Sequence, residues 1–449
     1  MTVSPFDSQL FAQLLSDDEI APLFSDKMVL RAIVDFEIAL AKIEAEAGVI
    51  PRNAFEEIAL KLKDFNPNPS DLSLDTGSDG VPVPALLKLA RQLLGNEIGQ
   101  YLHWGATSQD AIDTSLVLRI AQVIELLERR LSSTHSKLSS LANKYAETTM
   151  VGRTRSQQAI PTTFGYKLLG WAEPLNRHLD RLQELKPRLL VLSFGGAVGT
   201  LAALGNKANE VSQRLAEELG LHLPGTAWHT QRDNLAEFAN WLSLLTGSLG
   251  KMGQDLILLS QSEVLEVCFT SGGGSSTMPQ KSNPIAAEVL ITLARFNAGQ
   301  LNLIHQGLIQ EHERGGPGWM LEWMVLPQMI LAAAVALKDA LRVLDGLEVR
   351  EVRMKTNLEQ ANGLSLCEAA VFALSAHMNR SKAELIVKTA SQQAQKTNEH
   401  VIDVIARQVQ YPIDWRYLKR HGKYVGLAVE RARNTKLKSP SSVPVQPKK

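Results

Sequence analysis

Between Gly272 and Pro284 the chain reads Gly-Gly-Gly-Ser-Ser-Thr-Met-Pro-Gln-Lys-Ser-Asn-Pro, which sets the hydroxyl of Ser275, the ammonium of Lys281 and the amide of Asn283 on one short loop. Consecutive glycines let backbone N–H groups approach an anion, while Pro279 and Pro284 limit how far the loop wanders. The segment reads as a mobile catalytic loop that binds negative charge. Three other stretches join small polar groups, glycine and charge. His103-Trp104-Gly105-Ala106-Thr107-Ser108-Gln109-Asp110 precedes a long helix, so the hydroxyls of Thr107 and Ser108 and nearby N–H groups suit a carboxylate or phosphate. The same residues also read as an N-cap cluster closed by Ser108 or Asp110. From Gly152 to Gly165, Arg153 and Arg155 flank Thr154 and are followed by Gln157; guanidinium forks match carboxylates, although a lone Arg-Xaa-Arg also reads as a solvated helix entrance. Trp228-His229-Thr230-Gln231-Arg232-Asp233 brings an imidazole that titrates near neutral pH, or a histidine that is only structural. Glu311 to Trp319, containing Arg314, forms a break between two helices and is grouped with the glycine-rich loop.

Groups so far apart in sequence need rigid elements to bring them together. From Asp113 to about Tyr145, Leu116, Ile120, Ile124, Leu127, Leu131, Leu138 and Leu141 recur at helical spacing with no proline or glycine between them, which predicts one long helix. Similar patterns run from Asn234 to Phe269, from Ile285 to about Glu313 and from Trp319 to about Leu344, and helices of this length pack side by side as bundles. Sustained period-two alternation is missing, so at most a trace of strand is expected and the class is all-α. The expected organisation is a helical N-terminal domain over residues 1–110, a long-helix bundle over 111–347, a helical C-terminal domain over 348–433 and a disordered, proline-rich tail over 434–449.

Composition narrows the class of function. Lys plus Arg and Asp plus Glu both number 47 in 449 residues, so net charge calls for neither nucleic acid nor an anionic membrane, and anion selectivity must be local. The N-terminus lacks the basic start and apolar run of a signal peptide, and the apolar stretch from Trp323 to Leu337 is interrupted by Pro327 and Gln328, so a cytoplasmic protein is expected. Cys268 and Cys367 have neither the number nor the spacing for a disulfide framework or a zinc site. Leu189 to Phe194 followed by Gly195, Gly196 and Gly199 mimics a strand entering a dinucleotide loop, but the glycine spacing is wrong and the flanks are helical, which favours a helix–helix connection.

As a set, the four segments resemble the fumarase/aspartase superfamily, also called the argininosuccinate and adenylosuccinate lyase superfamily. Gly274-Ser275-Ser276-Thr277-Met278-Pro279-Gln280-Lys281-Ser282-Asn283-Pro284 resembles its signature nearly residue for residue, the other segments fall in its order, and almost the whole chain is covered. Within it, Trp228 to Asp233 and His312 to Trp323 look most like the bacterial 3-carboxy-cis,cis-muconate cycloisomerase branch. The resemblance implies a homotetramer whose bundles merge, active sites each built from three subunits, no metal or organic cofactor, and Ser275 as the group that moves the proton. His103 and His229 stand in reserve for proton transfer. Substrate carboxylates would meet Thr107, Ser108, Arg153, Thr154, Arg155, Gln157, Gln231 and Arg314, with Lys281 and Asn283 on the loop.

One departure from the superfamily discriminates among its reactions. Its lyases commonly carry histidine in Gly-Arg-Thr-His, where this chain has Arg155. A guanidinium stays protonated at any working pH, so the position binds charge and does not shuttle protons. This weighs against an adenylosuccinate-lyase-like C–N lyase releasing fumarate and suits a cycloisomerase acting on a tricarboxylate, whose nucleophile is its own ionised carboxylate. A non-catalytic bundle protein is the alternative of a different class, and it has no need of the Ser275, Lys281 and Asn283 set.

Overall fold

The computed structural model describes residues 3–270, 273–274, 278 and 281–434. The all-α expectation holds: among the described residues, helices dominate and six strands have only two to seven residues each. The chain forms two compact units, one of Met1–Arg130, His178–Gly247 and Leu293–Leu337, the other of Leu131–Arg177, Ser248–Thr292 and Lys338–Lys449. Five long helices, Ser108–Lys144, Phe164–Leu189, Asp233–Ser260, Ile285–Gln306 and Pro317–Asp345, each supply residues to both units.

Ser108–Lys144 extends five residues earlier than the apolar pattern starts and buries Leu116, Ile120, Ile124, Leu127, Leu131 and Leu138 as that pattern requires. In the first unit, Asp26–Glu46 begins at Ser25, whose Oγ accepts from Met28 N at 3.4 Å, and packs Ile33, Phe36 and Leu40 beside the Ala54, Ile58 and Leu62 face of Arg52–Leu62. The Pro317–Asp345 helix is long and apolar enough to cross a membrane, yet Met329 to Leu337 are all buried, so that surface is consumed by packing within the protein.

The second unit contains the main surprise. Thr149–Thr154 (β1) and Gln157–Thr163 (β2) pair antiparallel, Thr149 opposite Thr163 and Thr154 opposite Gln157, with an irregularity between Val151 and Arg153. Gly152 and Pro161 interrupt the alternation that would have announced these strands; a Cβ on Gly152 would lie 2.9 Å from the Ile160 carbonyl oxygen. The segment bearing Arg153 to Gln157 is therefore a hairpin turn, and the following helix starts only at Phe164.

Two helix ends also differ from the sequence expectation. The helix expected to reach Phe269 stops at Ser260; Leu265 takes a left-handed φ of 49° and donates its N–H to Gln261 O at 2.7 Å, and Val267–Phe269 (β3) then pairs with Leu347–Val349 (β6). The helix expected to reach Glu313 stops at Gln306, and the chain returns so close that a Cβ at Gly307 would sit 3.0 Å from the Gly318 carbonyl oxygen. Gly273–Gly274 (β4) pairs with Ser282–Asn283 (β5) at the base of the glycine-rich loop. Cys367–Ser375, Arg380–Thr397 and Val401–Gln408 close on a separate apolar cluster that includes Leu374, Val387 and Ile405.

Candidate active site

In the first unit the polar network is organised by Asp110, a buried residue in the opening turn of Ser108–Lys144. Its Oδ2 accepts from Thr107 N at 3.0 Å, reaching back over the helix start in the manner of a capping box, and from Gly196 N at 2.9 Å. Its Oδ1 accepts from Gly195 N at 2.9 Å and from His229 Nε2 at 2.7 Å. Four donors converge on one carboxylate. Both glycines are needed for this approach: a Cβ on Gly195 would come within 2.8 Å of the Ala227 Cβ, and Gly196 has φ 66° with a Cβ that would lie 2.8 Å from the Gly105 carbonyl oxygen. The glycine cluster that mimics a dinucleotide loop thus serves a carboxylate inside the protein.

The Asp110 contact fixes the tautomer of His229. A carboxylate has no proton to give, so Nε2 carries the hydrogen, and Nδ1 is buried without a partner among the described residues. One turn further along, Asp113 accepts from Arg232 Nη1 and Nη2 at 2.6 and 3.1 Å and from Trp319 Nε1 at 3.0 Å. Glu322 takes Arg232 Nε at 2.8 Å, and the Trp228 ring lies 4.6 Å from the guanidinium carbon. Burial disfavours the Arg232 charge, but Asp113 and Glu322 outweigh it and hold the pKa above its ordinary value. Gln109 donates to Asp113 Oδ2 and His229 O and accepts from Arg314 Nε at 3.2 Å; Arg314 Nη2 donates to Gly196 O at 3.2 Å. Arg314 is thereby oriented by neutral groups, with no carboxylate neutralising it among the described residues.

His103 belongs to the same unit and sits in a left-handed conformation, φ 66°, which is costly for a residue with a side chain. Its Nδ1 lies 2.6 Å from Glu37 Oε1, on the buried face of Asp26–Glu46. Burial opposes the imidazolium, yet the Glu37 carboxylate, with Asp110, raises the His103 pKa above the ordinary value. Thr107 and Ser108 occupy the N-cap and first position of the long helix and are partly buried. Gln231 is exposed, and among the described residues its amide donates to Thr230 Oγ1 at 3.3 Å.

The remaining expected residues lie in the second unit. Arg153 spends its guanidinium on Glu266, with contacts of 2.9 and 2.7 Å, and Glu266 is fully buried and also accepts from Asn357 Nδ2 at 2.9 Å. Arg155 and Ser156 form the two-residue turn between β1 and β2 with φ 48° and 61°, a left-handed pair more often filled by Asn-Gly. Thr154, Arg155 and Gln157 are exposed, and Arg155 makes no ion pair among the described residues. Asn283 lies in β5 opposite Gly273, and Lys281 is exposed, its N–H donating to Met278 O at 3.0 Å. Ser275 lies outside the described residues. Among those described, no three His, Cys, Asp or Glu side chains gather as a metal site.

Sequence reasoning placed Asp110 no further than a helix cap and passed over Asp113, Arg232 and Glu322; their signal was present, since each falls inside or beside a segment already singled out. Glu37 carried no such signal, lying outside every segment singled out by its polar groups.

Comparison with known proteins identifies the family. A family model described as "Lyase" matches residues 15–298. The chain is 43% identical to a 3-carboxy-cis,cis-muconate cycloisomerase of Pseudomonas aeruginosa, over 86% of each chain, and 41% identical to one of Pseudomonas putida, over 89% of this chain and 96% of that one. It superposes on the crystal structure of 3-carboxy-cis,cis-muconate lactonizing enzyme from Pseudomonas putida with a TM-score of 0.89 at 40% identity, covering 95% of this chain and 97% of the other. The family match, the near full-length identity and the shared fold together establish that the chain belongs to the lyase family of the fumarase/aspartase superfamily.

Proposed function

We propose that the protein is a cycloisomerase that closes 3-carboxy-cis,cis-muconate to 4-carboxymuconolactone in the β-ketoadipate route of protocatechuate breakdown. The observation that carries this reading is the state of its cations. Arg153 and Arg232 are neutralised by buried carboxylates, whereas Arg155, Arg314 and Lys281 have no carboxylate partner among the described residues. Three such charges suit a tricarboxylate, and the names of the relatives favour the same substrate. In a cytoplasmic homotetramer, different copies supply these groups to each shared site.

In the reaction one carboxylate oxygen of the substrate adds to the conjugated double bond. A C–O bond forms, and the electron pair moves onto another carboxylate as an enediolate. Lys281 and loop N–H groups stabilise that charge, at roughly 3 kcal/mol per well-placed donor. Ser275 delivers a proton to the adjacent carbon and regains one from solvent, so the product is an isomer of the substrate and nothing leaves. A serine needs a cationic setting to act as the conjugate base in reverse, which Lys281 supplies. Arg314, held by Gln109 and Gly196, and Thr107, held by Asp110, orient the carboxylates together with Ser108. Arg153 supports the hairpin from behind and leaves Arg155 as its outward cation.

Steady-state kinetics on Ser275→Ala, with substrate binding followed by calorimetry, tests the assignment. Turnover is expected to fall by at least a thousandfold with Kd within threefold of the parent. A variant turning over at near-normal rate removes Ser275 from the mechanism, and release of fumarate from an N-succinyl or S-succinyl substrate, without lactone formation, replaces the whole reading.

A further inference from the structure

Away from these groups, the first unit holds a cavity of about 340 Å3 walled by Phe24, Val29, Leu116, Arg119, Trp323 and Leu326. The walls are largely apolar, with Arg119 as their cation and Asp26 and Glu322 at the border. Arg119 is only 6% exposed, and its Nε and Nη1 donate to Ser115 O at 3.1 Å and Leu23 O at 3.3 Å. The Phe24 ring covers one face of the guanidinium at 5.5 Å. Among the described residues no carboxylate lies within ion-pair distance of it, in contrast to Arg232, which holds two. Burial alone pulls the Arg119 pKa down to about 10, so the group remains charged at neutral pH. A buried charge without a counter-charge is costly to keep, and the guanidinium still has N–H groups to offer an anion.

We propose that this cavity binds a monocarboxylate with an apolar body, of aryl or medium-chain alkyl type, its carboxylate paired with Arg119 and its hydrocarbon part against Phe24, Leu116, Trp323 and Leu326. Size fits: the volume is at the lower end of small-molecule sites and roughly twice the 150 Å3 that accommodates a benzene ring. Charge limits the ligand to one carboxylate, because Glu322 and Asp26 also border the cavity and would repel a second. The site is therefore wrong for a tricarboxylate. It is separate from Thr107 and Ser108, since Arg119 lies eleven residues beyond Ser108, about 16 Å along the helix.

Occupancy has a built-in reporter, because Trp323 lines the cavity and its ring packs 4.7 Å from Trp319. The test titrates the intact protein with 3-phenylpropionate and with octanoate, read by tryptophan fluorescence and by calorimetry, with 3-phenylpropan-1-ol as the uncharged control. Saturable binding of one carboxylate, at least tenfold tighter than the alcohol, is expected; which carboxylate wins decides between aryl and alkyl ligands. Arg119→Met should abolish the preference for carboxylate over alcohol. Val29→Phe, which fills the cavity and leaves the cation, should weaken carboxylate binding at least tenfold and decides the matter if the arginine variant does not fold. Absence of saturable binding by both carboxylates, or unchanged affinity in either folded variant, overturns the proposal.

Discussion

Replacing Asp110 with asparagine keeps the shape of the side chain and removes the charge and one acceptor. The amide nitrogen must take the place of Oδ1 or Oδ2. At Oδ2 it faces Thr107 N and Gly196 N, two donors that then lose their acceptor. At Oδ1 it faces Gly195 N and His229 Nε2; the histidine relieves one conflict by moving its proton to Nδ1, but that nitrogen is buried without a partner. Either way two buried polar hydrogens go unmatched, each at about 1.5 kcal/mol or more, so Asp110→Asn should loosen this region by about 3 kcal/mol. Unfolding of a chain with two compact units is a poor gauge of so local an effect. Amide hydrogen exchange is better: protection of the peptide spanning residues 193–199 should fall about a hundredfold, while peptides from the Arg380–Thr397 helix stay unchanged. The kcat/KM should fall as well, because Thr107 loses its anchor at the start of the helix. Protection within threefold of the parent would refute the view that Asp110 organises this network.

Arg155→Asn should leave stability unchanged or raise it by about 0.5 kcal/mol, since asparagine tolerates the left-handed φ of 48°, yet raise KM for carboxymuconate at least tenfold; thermal denaturation and initial rates separate the two effects. Arg153→Met should cost about 3–5 kcal/mol in urea denaturation by stranding the buried Glu266, and Arg153→Met with Glu266→Gln should recover more than half of it. Glu44 is fully buried with no hydrogen-bond partner among the described residues, and burial, reinforced by Glu37, pushes its pKa from 4.5 up to about 9. A carboxyl raised in the fold contributes full stability below its unfolded pKa and loses it as pH rises through the folded one. Glu44→Gln should therefore match the parent near pH 4 and exceed it increasingly toward pH 9, by up to about 4 kcal/mol at pH 8, in denaturation at fixed protein concentration.

The helices were legible because Leu116, Ile120 and Ile124 repeat at one period in a stretch that lacks breakers, and burial follows that period directly. Helix ends were less so. The turn after Ser260 contains a left-handed leucine, and Gly307 meets a distant backbone, neither of which local composition reveals. The hairpin carrying Arg155 was hidden for a related reason: a two-stranded hairpin is marginal on its own, and Gly152 and Pro161 erase its alternation. At the site, residue types announced anion chemistry, but which cations are free depends on partners far away in sequence. Arg153 and Arg155 look equivalent until Glu266, 113 positions from Arg153, is seen to claim only one of them. In the same way, His103 gains its raised pKa from Glu37, 66 positions earlier.

The decisive measurement incubates the purified protein with 3-carboxy-cis,cis-muconate in deuterium oxide and identifies the product by proton NMR. Stoichiometric conversion to 4-carboxymuconolactone is expected, with one non-exchanging deuteron on the carbon next to the newly bonded one and no fumarate. Unchanged substrate, or lactone formed no faster than without protein, would contradict the proposed function.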